Sequence, residues 1–178
     1  MNLTTLKKSL KELDQKELIG LVADLYKLNP EVKGYLSSRF AGDDEVAVLY
    51  EKAKKVVQNE FFPDRGLGKL RLSKAKEAIT SFSKMTGDEF RTLDLMLFYV
   101  EMGTEFTSLY GDIGESFYNS MNTMFDRVAE QCNENEEWYD QLKDRLENVL
   151  DNASDVGWGY WDDLRDSHAS IQWSWDEE

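Results

Sequence analysis

Residues 89–110, EFRTLDLMLFYVEMGTEFTSLY, decide the fold class. Their centre, LMLFYV at 95–100, is an uncharged apolar run that fits a helix buried among other helices. It falls well short of the roughly 20 apolar residues that a membrane-spanning helix needs. Thr86 or Asp88 is the expected start of this helix.

Reading outward from it, every neighbour repeats the helical period. Upstream, Ser73 is placed to cap SKAKEAITSFSKM, and PDRGLGKL at 63–70 is the clearest loop in the chain. Before that loop a long helix is expected from Asp43 or Asp44 to about Phe62. Three short helices precede it. The first carries Leu3, Leu6, Leu10 and Leu13 on one stripe, with lysines behind. Asp14 with Glu17 forms a capping-box pattern for the second, whose Leu18, Leu21, Val22, Leu25 and Leu28 share a face. Asn29-Pro30 ends it, and Pro30 suits the first turn of the third.

Downstream, Gly111-Asp112-Ile113-Gly114 turns into a helix with Phe117, Met121, Met124, Phe125 and Val128 in register. Asn133–Asn135 breaks it. The next helix sets Trp138, Leu142, Leu146, Val149 and Leu150 on one face. Val156-Gly157-Trp158-Gly159 is a turn before a short helix at 160–168. The single period-two pattern, Ile171, Trp173 and Trp175, is too short to found a sheet. The expectation is an all-α protein: eight or nine helices in stacked antiparallel pairs, forming one compact domain. Its parts would be a three-helix cap at 1–41, a main helical domain at 42–170 and an aromatic-acidic tail at 171–178.

Composition narrows the function classes. The chain has 178 residues and a net charge of −14, unevenly spread. Residues 1–84 hold 16 Lys and Arg against 12 Asp and Glu, whereas residues 85–178 hold 5 against 23. The acidic half would repel nucleic acid and suits a basic partner. Cys132 is the sole cysteine, which leaves no intramolecular disulfide and no paired-cysteine metal motif. The opening residues are charged every few positions and lack a signal peptide's apolar run. A cytoplasmic protein without membrane attachment is expected.

Several stretches also resemble a bacterial family of all-helical proteins of unknown function. These are LKKSLKEL followed by KELIGLVADLYKLNPEVKGYL, EFFPDRG followed by LSKAKEAI, YGDI at 110–113 with FYNSM after it, and VGWG with DDLRD at 156–166. The resemblance covers most of the chain and implies an all-helical bacterial cytosolic protein. It brings no catalytic residues to carry over. The ending SIQWSWDEE is longer and more aromatic than is usual in that family.

No catalytic signature is legible. A nucleophilic site would need His168, the one histidine, with a serine or with Cys132, and no oxyanion motif accompanies either. Asp94, Glu101, Glu105 and Asp112 share a helical face and read as a solvated acidic stripe, since a di-iron bundle needs histidines. Asp162, Asp163 and Asp166 do not converge with His168 on one face. No cofactor or metal is expected.

Two candidate binding regions remain. Arg65, Lys69, Arg71 and Lys74 surround a glycine-rich loop that leads into a helix start, a setting that suits an anion. Trp161, Trp173 and Trp175 are candidates for contact with a partner protein, whereas Trp138 and Trp158 are expected in the core. The leading expectation is a non-enzymatic adaptor or regulator that binds another protein, one with a basic surface. A carboxylate-based hydrolase, or a small-molecule-binding protein with a groove between helix pairs, is an alternative. So is an acidic nucleic-acid mimic. Charge segregation would also permit a salt-sensitive homo-oligomer.

Overall fold

A computed structural model describes residues 1–175, with only the backbone of Trp175. Among them are nine α-helices and no strand. In chain order these are α1 (Leu3–Lys11), α2 (Gln15–Leu28), α3 (Pro30–Ala41), α4 (Asp43–Phe61), α5 (Leu72–Thr86), α6 (Glu89–Tyr110), α7 (Glu115–Glu134), α8 (Glu136–Ala153) and α9 (Tyr160–Ala169). A single 3-10 turn, Gln172–Trp175, closes the chain. Among the described residues no helix is long and apolar enough to cross a membrane.

Helix α6 is the axis of the fold, and α4, α5, α7 and α8 pack around it. Leu93, Leu95, Leu97, Tyr99 and Val100 lose all exposure there. Residues two apart on one helix can all be buried only when other helices cover it on several sides. Each large buried side chain contributes roughly 1.5–3 kcal/mol relative to exposure, so this segment is the main source of stability. Buried hydroxyls tie the outer helices to it. Thr104 and Thr107 of α6 meet Tyr160 and Tyr118, each at 2.7 Å.

The capping chemistry sets most helix starts. Asp14 accepts from the Glu17 amide while Glu17 accepts from the Asp14 amide, completing the box. Asn29 caps α3, Asp88 caps α6 and Asn135 caps α8 through their side-chain oxygens. Two starts differ from the sequence expectation. Helix α4 begins after Gly42 without a side-chain cap, because Asp43 is drawn 2.7 Å from Arg91 instead. That arginine holds the Asp43 carboxyl below its usual range. Helix α5 begins at Leu72 rather than at a Ser73 cap, because the Arg71 amide is held by Glu60.

The N-terminal part departs further. Helix α3 docks on α4 and α5, with Gly34 buried under Met85 and the Ser38 hydroxyl donating to the Met85 carbonyl at 2.7 Å. A Cβ at Gly34 would lie 2.3 Å from Met85 Sδ, so the methionine side chain fills the space that glycine leaves open. Helix α2 packs on α3, but α1 and α2 contain no buried residue at all. Of the leucine faces that the sequence marks as core, Leu6, Leu10, Leu13 and Leu18 are half-buried, and Leu3, Leu21, Val22, Leu25 and Leu28 are exposed.

Candidate functional site

The turns after α6 and after α8 meet at one end of the bundle. Gly111 and Gly114 adopt positive φ in the first turn, and Trp158 and Gly159 do so in the second. A Cβ on Gly157 would sit 3.2 Å from Asp112 Oδ2, so the backbone of one turn lies against the carboxylate of the other. Asp112 also accepts from the Tyr118 hydroxyl at 3.3 Å. Ser108 donates to the Asn152 carbonyl at 2.7 Å and fixes α6 against the end of α8. Between them lies a hollow of about 360 Å³, bounded by Asp112, Asp151, Asp155, Ser108, Ser154 and the backbone near Val156.

Trp158 follows Gly157, the residue packed against Asp112, and 61% of its surface is exposed. This corrects the expectation that it belongs to the core. Its φ is +66°, a left-handed conformation that is strained for a bulky side chain and costs of order 1–3 kcal/mol. The flanking glycines make so tight a turn that the indole points outward rather than between helices. It stacks on Tyr118 at 6.4 Å and 27°. Leu109, Tyr110 and Ile113 on the neighbouring turn are also exposed. The result is an acidic hollow beside an apolar, aromatic surface.

The other residues singled out from sequence fall elsewhere. Trp161 is half-buried on α9 with the Arg165 guanidinium 4.7 Å over its ring. Trp173 packs against the core, and Gln172 anchors its turn through two bonds to Asn133. The Trp175 side chain and Asp176–Glu178 lie outside the described residues. Trp138 is half-buried against Phe90, with ring centroids 6.0 Å apart.

In the basic loop, Arg71 and Lys74 surround the Glu60 carboxylate, which is 1% exposed. Arg71 donates from Nε at 3.0 Å and from Nη2 at 2.9 Å. Arg71 holds the Glu60 carboxyl below its ordinary range. Two of the four candidate anion-binding cations therefore already serve an internal anion. Arg65 and Lys69 are exposed on the rim of the same loop.

Asp94 and Glu101 do not form a solvated stripe. Arg145 of α8 reaches across and pairs with both, with Nε 2.7 Å from Glu101, and the Tyr50 hydroxyl donates to Asp94. Burial, and then the Asp94 carboxylate, keep the Tyr50 phenol protonated well above its usual range. This is a half-buried clamp joining α4, α6 and α8, invisible in sequence because its members lie 44 and 51 residues apart. Cys132 is buried and its thiol is pushed up to about 12 by desolvation, so it is not a nucleophile in the folded protein. Asp162 and Asp166 both pair with Arg165. His168 lies against the Tyr139 ring. Among the described residues, no three His, Cys, Asp or Glu side chains are arranged to hold a metal ion.

Fold and site together define an all-helical domain that presents an acidic, aromatic-edged hollow. The sequence profile of DUF6155, a family of unknown function, matches residues 1–168, and the chain belongs to that family. The match stops before the tryptophan turn. No curated protein and no solved structure matches the chain.

Proposed function

We propose that this protein is a non-enzymatic adaptor or regulator of the bacterial cytoplasm that binds a basic segment of another protein at the hollow beside Trp158. The observation that carries the reading is an exposed, strained tryptophan that follows Gly157, whose backbone lies against Asp112 on the rim of a hollow shared with Asp151 and Asp155. A lysine or arginine placed there donates charge-assisted hydrogen bonds to the carboxylates and gains a cation–π contact with the indole, the latter about 0.5–2 kcal/mol. The excess acid of residues 85–178 steers such a partner towards this end. A nucleic-acid-binding protein, whose phosphate-contacting side chains are basic, is one such partner.

The carboxylates give a hydrolase less support. The carboxyls of Asp43 and Glu60 are both held low by arginine. A general acid at neutral pH needs the opposite displacement.

The test is fluorescence anisotropy with a labelled arginine- and lysine-rich decapeptide and its glutamate counterpart. The full chain should bind the basic peptide alone, with affinity that falls as salt rises. Trp158→Ser and the double change Asp112→Asn, Asp155→Asn should each weaken binding about tenfold or more without loss of helicity. Binding that is unchanged in both variants, or absent at low salt, rejects the reading.

A further inference from the structure

Helices α1 and α2 contain no buried residue, and both keep apolar surface open, although Leu6, Leu10, Leu13 and Leu18 are half-buried. Helices α2 and α3 enclose an apolar groove of about 680 Å³ floored by Leu18, Ile19, Val22, Tyr26, Leu36 and Phe40. Phe40 is 81% exposed and no residue of α1 lines the groove. Helix α1 presents the stripe Leu3, Leu6 and Leu10, continued by Leu13, and packs substantially on no other helix. Helices of nine and fourteen residues are marginal in water without an apolar partner. Both surfaces leave apolar side chains in water, and a leucine stripe suits an apolar groove between two helices.

The chain's own α1 is poorly placed to supply it. The link between α1 and α2 is Glu12, Leu13 and Asp14, and its amides are already committed. Leu13 bonds back to the Leu10 carbonyl at 3.3 Å, and Asp14 bonds forward to Glu17 at 2.8 Å. A short, fixed connection of this kind favours exchange between copies over folding back.

The charges set a direction. One end of the groove, near the α2–α3 turn, has Lys27 and Lys33. The other end has Asp14 and Glu17 at the start of α2, and Asp43, Asp44 and Glu45 in the first turn of α4, of which Asp43 pairs with Arg91. In α1 the lysines, Lys7, Lys8 and Lys11, cluster in the second half, and its first turn has no charged side chain.

We infer that two copies of this chain form a symmetric dimer by reciprocal exchange of α1, the leucine stripe of each seated in the α2–α3 groove of the other. The lysine end of the incoming helix lies towards Asp14, Glu17 and the start of α4. The exchange closes a two-fold assembly and leaves both acidic hollows outside the interface, at the α6–α7 end of each copy.

Sedimentation equilibrium of the full chain tests this. The wild type should have the mass of two chains at micromolar concentration, and raising salt should not dissolve the dimer, because the contact is mainly apolar. Leu6→Ser with Leu10→Ser, and separately Ile19→Ser with Phe40→Ser, should each raise the dimer dissociation constant at least about tenfold. Neither pair touches the buried core, and circular dichroism verifies that the remaining helices persist. A mixture of the two variants retains one intact helix-in-groove contact and should associate more tightly than either variant alone.

A wild type that stays monomeric at high micromolar concentration overturns the inference. So does a dimer that survives the α1 changes, which would mean that the grooves pair with each other directly. A dimer lost in high salt overturns it as well, by pointing to head-to-tail attraction between the basic and acidic halves.

Discussion

Helix α6 and helix α2 are both amphipathic segments read from the same periodicity, yet one is enclosed and the other bare. Helix α6 has ten buried residues, and α2 has none. The difference lies in what the rest of the chain supplies. Four helices pack closely on α6, whereas among the described residues only α3 packs substantially on α2. An apolar face in a sequence thus records that a helix is to be covered, not which molecule covers it. The body of this protein carries its stability within the chain; the N-terminal hairpin leaves much of its apolar surface open.

Core truncation should separate the two regions most strongly. Leu97→Ala or Phe125→Ala should cost about 3–4 kcal/mol in denaturant unfolding, because each leaves a cavity with no exposed route to collapse. Leu21→Ala in α2 should cost less than about 1 kcal/mol in a monomeric background. Equal losses at the two places would break the contrast.

The polar clamp comes next. Arg145→Met should cost about 3 kcal/mol, because it leaves Asp94 and Glu101 facing each other partly desolvated. The extra change of Asp94→Asn should recover part of that loss, which a double-mutant cycle measures.

Glu60→Gln should cost about 1–2 kcal/mol at neutral pH, since Arg71 and Lys74 remain half-exposed and rehydrate. The sign with pH follows from the lowered Glu60 carboxyl. A depressed carboxyl stabilises the fold above the ordinary glutamate range, and that contribution disappears as pH falls through the lowered value. The gap between wild type and Glu60→Gln should therefore close in acid, as followed by melting temperature. A gap that stays constant would show that the loop is held by shape alone.

The smallest effect is expected at Trp173. Its Nε1 is buried without a hydrogen-bond partner among the described residues, so Trp173→Phe should be within about 1 kcal/mol of wild type and possess no unmet donor. Trp173→Ser should destabilise by losing the packing against the core. A null result for both would detach the final turn from the domain.

Much of this architecture is legible in the residues. Asp14 with Glu17, Asn29 before Pro30, and Asp88 mark helix starts because capping is local chemistry between residues two or three apart. What is not legible depends on distance along the chain. Arg145 gives no local sign that it will bridge Asp94 and Glu101, and Asp43 is pulled from its expected cap by Arg91, 48 residues away. Trp158 misleads for a different reason. Residue type argues for burial, but the backbone between two glycines dictates where the ring points, and a positive φ cannot be read from a tryptophan. The acidic hollow shares this limit, since Asp112 and Gly157 meet only through the packing of α6 against α8.

The one thiol of the chain offers a clock. Cys132 sits wholly inside the helix that α6, α8 and α9 enclose, and its ionisation is suppressed. A thiol reagent can reach it only when that core opens, so the labelling rate reports the opening population without any introduced probe. Movement of the N-terminal hairpin leaves the rate unchanged, and loosening of the body sets it running.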